Sequence, residues 1–234
     1  MGIKSAFVRK LSNLDNLLKL LPIASLIRSK SYSQFWEDRL ISRNIVPEIG
    51  SYVDIGAGTP IWGSNTYYFY RRGWAGVTLD PIAFNVNMQK RFRPRDKQYE
   101  TVVSSNPETI EFYQLSPWEL STIDSKIAYQ RIAAGNQLIA KTYIKPTSLE
   151  AIYRENPIKR PAILSIDVEG AEMDVLNSNN WEIAKPDIIC IEELENPLSY
   201  SKIRGFLTLQ DYELIAYNGV SSIYIWKETK HRRS

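Results

Sequence analysis

The stretch "VDIGAGTPIWGSN", Val53 to Asn65, decides how the rest of the chain is read. Val53 and Ile55 close an apolar run, Gly56 and Gly58 permit a sharp turn with close backbone approach to a ligand, and a polar loop follows. Turns of this kind follow the first strand of open α/β sheets, where ligands sit beyond the carboxyl ends of the strands.

The chain on either side supports that placement. "SYVDIGA" reads as a buried strand, "SNTYYFYRRG" as a helix closed by Gly73, "WAGVTLD" as a second strand and "PIAFNVNMQKRF" as a helix. "YETVVSS" is a third strand, "IEFYQL" a short extended piece, and residues 115–140 a variable region. "TSLEAIYREN" then predicts a helix, "PAILSIDV" a fourth strand, "AEMDVLNS" the start of a helix and "PDIICIEE" a fifth strand. "YELIAYNGVSSIYIWK" is two extended runs around Asn218-Gly219, a hairpin signal. The expected fold is α/β: a doubly wound, mostly parallel sheet with a C-terminal antiparallel hairpin.

A chain of 234 residues, 44% hydrophobic, suits one domain with an added arm. We divide it into an N-terminal arm (1–30), the main domain (31–227) and a basic tail (228–234). In the arm, Phe7, Leu11, Leu14, Leu18 and Leu21 form an apolar stripe at helical spacing. Such a stripe packs on the domain, pairs two subunits as a homodimer, or lies on a membrane surface. "LLKLLPIASLI" is too short for the ~20 residues of a membrane span and is broken by Lys19 and Pro22. The single cysteine, Cys190, excludes an internal disulfide and a cysteine zinc site and suits a cytoplasmic protein.

The net charge of +3 hides an asymmetry. Lys4, Arg9, Lys10, Lys19, Arg28 and Lys30 face Asp15 alone in the arm, and the tail is also basic, so the body is acidic. That excludes a nucleic-acid-binding face on the fold, while the basic ends can still meet anionic lipid.

Two cofactor classes use such glycine turns. The dinucleotide fingerprint needs a third glycine at position 61, where this chain has Ile61. Asp54 would set a negative charge near a pyrophosphate, but it suits the ammonium and sulfonium of S-adenosylmethionine. Asp80, about 20 residues beyond the turn, can accept from ribose hydroxyls of either ligand. The terminal hairpin belongs to the methyltransferase version of the sheet. The expected cofactor is S-adenosylmethionine, held by Asp54, Gly56, Gly58 and Asp80.

Several segments together resemble the FkbM-type methyltransferases, class I S-adenosylmethionine-dependent O-methyltransferases of sugar, polysaccharide and polyketide hydroxyls. They are "YSQFWEDRLI" (32–41), the block at 52–81, "TSLEAI" (147–152), "LSIDVEGAEMDVL" (164–176) and "YELIAYNGVSSIYI" near the end. The resemblance implies cofactor contacts at Asp54, Gly56, Gly58 and Asn65, the ribose on Asp80, and Gln34 over the methionine end. The family often has Glu in place of Asp80 and commonly Gly in place of Trp36.

Methyl transfer requires alignment and removal of the acceptor's proton. His231, the only histidine, sits in the basic tail. Carboxylates are the other source of a base: Asp167 and Glu169 follow the fourth strand, and Glu192 and Glu193 end the fifth. We expect Asp167, helped by Glu193, to activate the acceptor directly or through magnesium on Asp167, Glu192 and Glu193. Glu172 is expected to cap the helix after "DVEG". In the variable region Trp118, Ser121, Asp124 and Tyr129 can meet a sugar or pack a lid. The reading is an O-methyltransferase of a sugar, glycan or polysaccharide precursor. The alternatives are a nicotinamide-dependent or nucleotide-sugar-modifying enzyme, and a non-catalytic cofactor-binding module.

Overall fold

The computed structural model describes residues 31–231 apart from Pro47, Leu194 and Tyr200. The N-terminal stripe, and with it the homodimer and membrane expectations, lies outside the described residues, as does the end of the tail.

Among the described residues seven strands form one sheet. They are β1 (Ser51–Ile55), β2 (Ala75–Asp80), β3 (Lys97–Glu100), β6 (Ala162–Ile166), β7 (Ile188–Glu192), β8 (Tyr212–Tyr217) and β9 (Ser221–Trp226), and their order is β3-β2-β1-β6-β7-β9-β8. β3 to β7 in that order run parallel, and β9 and β8 add the antiparallel hairpin. The chain winds outward from β1 to β3 and then crosses back to β6, so the sheet order reverses between β1 and β6. This is an α/β fold, a mostly parallel sheet with an antiparallel hairpin at one edge.

Burial on both faces explains the unbroken apolar strands. Val53, Ile55, Leu164, Ile166, Ile189 and Ile191 enter one core with Leu149 and Ile152 of α5 (Leu149–Glu155) and Val175 and Leu176 of α6 (Glu172–Asn177). Leu207 of α7 (Lys202–Leu209) joins them. The alternate residues Tyr52, Ile163, Ile188 and Cys190 enter a second core with Ile41 of α1 (Glu37–Arg43) and Phe69 and Tyr70 of α2 (Tyr67–Tyr70). The period of two along each strand thus serves two helical layers. The helix α3 (Ala83–Phe92) joins β2 to β3.

The predicted variable region is a folded insertion. β4 (Ile110–Ser116) pairs antiparallel with β5 (Gln137–Ile144) as a separate two-stranded sheet. Between them lie a short 3-10 turn at Trp118–Leu120 and helix α4 (Ser125–Ala133), whose N-cap Asp124 accepts from the Ile127 N–H at 3.0 Å. A last helix, α8 (Lys227–His231), closes the described chain, so the start of the expected tail is helical.

Candidate active site

A cavity of about 890 Å³ opens at the carboxyl ends of β1, β2 and β6. The glycine turn forms its floor. Gly56 and Gly58 both have left-handed backbone (φ 73° and 53°), and a Cβ on Gly56 would lie 1.7 Å from the Asp167 carbonyl oxygen. Only glycine lets the β1 and β6 ends meet so closely.

Asp80 lines the cavity on the β2 side. Its carboxylate accepts from Gly58 N–H at 2.9 Å, Ile82 N–H at 2.8 Å and the Asn85 amide. Burial pushes its pKa up to about 6, against those hydrogen bonds. Gln34 also lines the cavity.

Two expected cofactor residues sit elsewhere. Asp54 shares the face of Tyr52 and turns into the layer beneath the cavity, where it accepts from Thr66 Oγ1 at 2.5 Å and lies 3.9 Å from Arg93 Nη1. Arg93, fully buried, ties that layer together through Asp96, Ser64 and Thr66. Asn65 donates to Ser165 Oγ at 3.2 Å and toward Cys190 Sγ at 3.7 Å. Both brace the wall behind the glycine turn instead of lining the cavity.

The acids behave differently from one another. Asp167, Glu169 and Glu192 each place a carboxylate oxygen within 4.8 Å of the others. Glu193 is not in that group, which corrects its expected partnership with Asp167. Adjacent residues at a strand end point to opposite faces, and Glu193 turns away to accept from the Ser201 and Tyr224 hydroxyls. Arg131 of α4 pairs with Glu169 at 2.5 Å, and Thr122 donates to the Glu169 carbonyl. Glu172 accepts from Gly170 N–H at 3.0 Å, just before α6.

Asp167 is open to water in the cavity, yet protein surrounds it. That enclosure, and next the charge of Glu169 and Glu172, pushes its pKa up to about 8. Burial and then the charge of Asp167 push Glu192 to about 9. The two titrate as a pair.

A strap at residues 31–36 lines the cavity, and two buried acids at the start of α1, Glu37 and Asp38, fasten it. Asp38 accepts from Ser31 Oγ at 2.6 Å, Tyr32 N–H at 2.7 Å and Ser33 Oγ at 3.1 Å. Glu37 accepts from Phe35 N–H at 2.8 Å and reaches the hairpin through Asn218 at 2.9 Å and Ser221 at 3.1 Å. Sequence reasoning missed this role, although paired acids opening a helix were its signal.

Between those anchors Trp36 adopts φ 71°, a left-handed backbone that explains why glycine is common there in the family resembled. Its ring lines the cavity and is 54% exposed. Trp118 and Ser121 of the insertion line the cavity, whereas Asp124 caps α4 and the exposed Tyr129 packs edge-on to Tyr113.

Comparison with known proteins decides the family. The model of the methyltransferase FkbM domain matches residues 54–214. The chain belongs to the FkbM methyltransferase family. This FkbM protein is an S-adenosylmethionine-dependent methyltransferase. No curated protein matches it. Among solved structures it is similar to a TehB-like S-adenosylmethionine-dependent methyltransferase from Corynebacterium glutamicum (11% identity, 95% of this chain and 97% of that one, TM-score 0.41). A methyltransferase from Geobacter sulfurreducens is similar at 15% identity, with 95% and 97% covered and a TM-score of 0.44. So is the 1,6-didemethyltoxoflavin-N1-methyltransferase of Burkholderia thailandensis, at 9% identity, 96% and 89% coverage and a TM-score of 0.40. At such scores none of the three bears on the acceptor. No described helix of the FkbM protein is long and apolar enough to cross a membrane.

The cavity fits that cofactor. Its glycine floor, the acid on the β2 side and the buried Trp62 indole N–H, which lacks an acceptor among the described residues, suit a ligand carrying hydroxyls and a carboxylate.

Proposed function

We propose that the protein transfers a methyl group from S-adenosylmethionine to a hydroxyl of a sugar, glycan or polysaccharide precursor. The observation that carries this reading is the Asp167 carboxylate at the end of β6, inside a cavity rimmed by Tyr32, Trp36 and Trp118. Aromatic faces of this kind suit the apolar faces of a sugar ring.

The cofactor, when bound, supplies a methyl group on a sulfonium, already a good leaving group. Gly56, Gly58 and Asp80 would hold it, with Gln34 toward its methionine end. Asp167 then takes the proton of the acceptor hydroxyl as the new carbon–oxygen bond forms. An ordinary carboxylate, with a pKa near 4, is too weak a base for that. At about 8, Asp167 is matched to the task near neutral pH.

The cluster of Asp167, Glu169 and Glu192 supports a second reading. These oxygens could hold magnesium, which would acidify the acceptor hydroxyl. Glu169 stands here in the place expected for Glu193. Arg131 already neutralises Glu169 in a 2.5 Å ion pair, which leaves that carboxylate less available to a cation and favours direct action by Asp167.

Calorimetric titration separates the possibilities. We expect S-adenosylmethionine to bind with a Kd in the micromolar range, on the order of −8 kcal/mol, and NADH not to bind. Magnesium should leave the affinity unchanged. Binding of NADH alone would overturn the reading, and turnover of glycans only with magnesium would favour the second one.

A further inference from the structure

Trp62 is 7% exposed and lines the cavity, yet among the described residues its Nε1–H has no acceptor. A buried indole N–H normally finds a partner, and leaving one unpaired is costly. The residue is firmly placed: Thr59 donates to its carbonyl, its ring packs against Tyr32 at 5.6 Å between centroids, and the following Gly63 N–H donates to the Tyr32 carbonyl at 2.8 Å. The orphaned donor is therefore held ready for a ligand atom.

Position and chemistry narrow that atom. The strap that covers Trp62 is fastened to the β8–β9 hairpin, across the sheet from Asp80. A cofactor whose ribose rests on Asp80 and which crosses the glycine turn brings its amino-acid end to Trp62. An indole N–H donates and never accepts, so it cannot serve the ammonium group there. The acceptor at that end is the carboxylate.

We propose that Trp62 Nε1–H donates to the carboxylate of the cofactor's methionine portion. The assignment rests on the cofactor placement given under Proposed function.

The test titrates the full-length protein and its Trp62→Phe variant with S-adenosylmethionine and with decarboxylated S-adenosylmethionine, which lacks only the carboxylate. The variant should bind S-adenosylmethionine about 10- to 100-fold more weakly, as expected for a hydrogen bond to a charged group. Its affinity for the decarboxylated ligand should stay within about twofold of wild type, since that ligand offers the indole no acceptor. Replacement by 3-benzothienylalanine, which keeps the shape and removes the N–H, should reproduce the pattern even where phenylalanine disturbs packing. Equal weakening for both ligands, or for neither, in the 3-benzothienylalanine protein overturns the assignment alone. A wild type that binds neither ligand overturns the cofactor placement and the assignment with it.

Discussion

Gly56→Ala is expected to abolish measurable cofactor binding and to remove a large share of the protein's stability. The added Cβ would meet the Asp167 carbonyl oxygen at 1.7 Å and its carbonyl carbon at 2.8 Å. Both are backbone atoms, so no side chain can swing aside. The left-handed φ of 73° adds roughly 1–2 kcal/mol on its own. Relief requires β1 and β6 to part where Asp167 N–H donates to the Ile55 carbonyl at 3.0 Å. A total beyond about 4 kcal/mol is expected, a large share of the roughly 5–15 kcal/mol that holds a domain folded. Gly219→Ala is the control: its φ is 99°, but nothing lies within 4 Å of the new Cβ. It should cost only the conformational penalty of roughly 1–2 kcal/mol and leave binding intact. Urea melts and calorimetry on both variants measure this. A Gly56→Ala protein that binds S-adenosylmethionine like wild type would show that the turn adjusts and that the collision decides nothing.

The same contrast explains what could be read from the sequence. Strands β6 and β7 are buried on both faces, so "PAILSIDV" and "PDIICIEE" stand out as continuous apolar runs. β5 carries no such signal. Leu138, Ile139 and Tyr143 are exposed on a small separate sheet, so neither an unbroken run nor an alternating pattern marks it. Helix α4 escapes for a related reason, because Ala128 is its one buried residue among the described ones.

The site divides along the same physical line. Glycines at the turn and acids at strand ends are legible because few residue types can do those jobs. Which way an acid points depends on pleat and register, and one residue changes the answer. Asp54 goes down with Tyr52 into the Arg93 layer, and Glu193 turns to Ser201 while Glu192 stays with Asp167. Trp36 is the converse case: its own sequence looks ordinary for a helix start, and what points to a left-handed backbone is the glycine common there in the family resembled.

Asp167→Asn separates the proposed base from a structural acid, because activity and stability should move in opposite directions. If Asp167 removes the acceptor's proton, its loss lowers kcat by about 10²- to 10⁴-fold while calorimetry finds cofactor affinity little changed. The wild-type rate should climb as pH rises toward about 8, where the carboxyl loses its proton, and the variant should lack that limb. Stability follows from the same raised pKa. Held above its unfolded value near 4, the carboxyl binds its proton more tightly in the folded protein. Its stabilising contribution is full below about pH 4 and is lost as pH rises through about 8. Above that, the ionised group sits enclosed beside Glu169 and Glu192 at a net cost. The asparagine variant escapes that repulsion, so unfolding curves in the ligand-free state should find it the more stable protein at alkaline pH, with the difference shrinking as the solution is acidified. Retained turnover would remove Asp167 from the chemistry. A variant that is both slower and less stable at alkaline pH would instead mark Asp167 as a support of the β6 end, and the raised pKa would then have no part in catalysis.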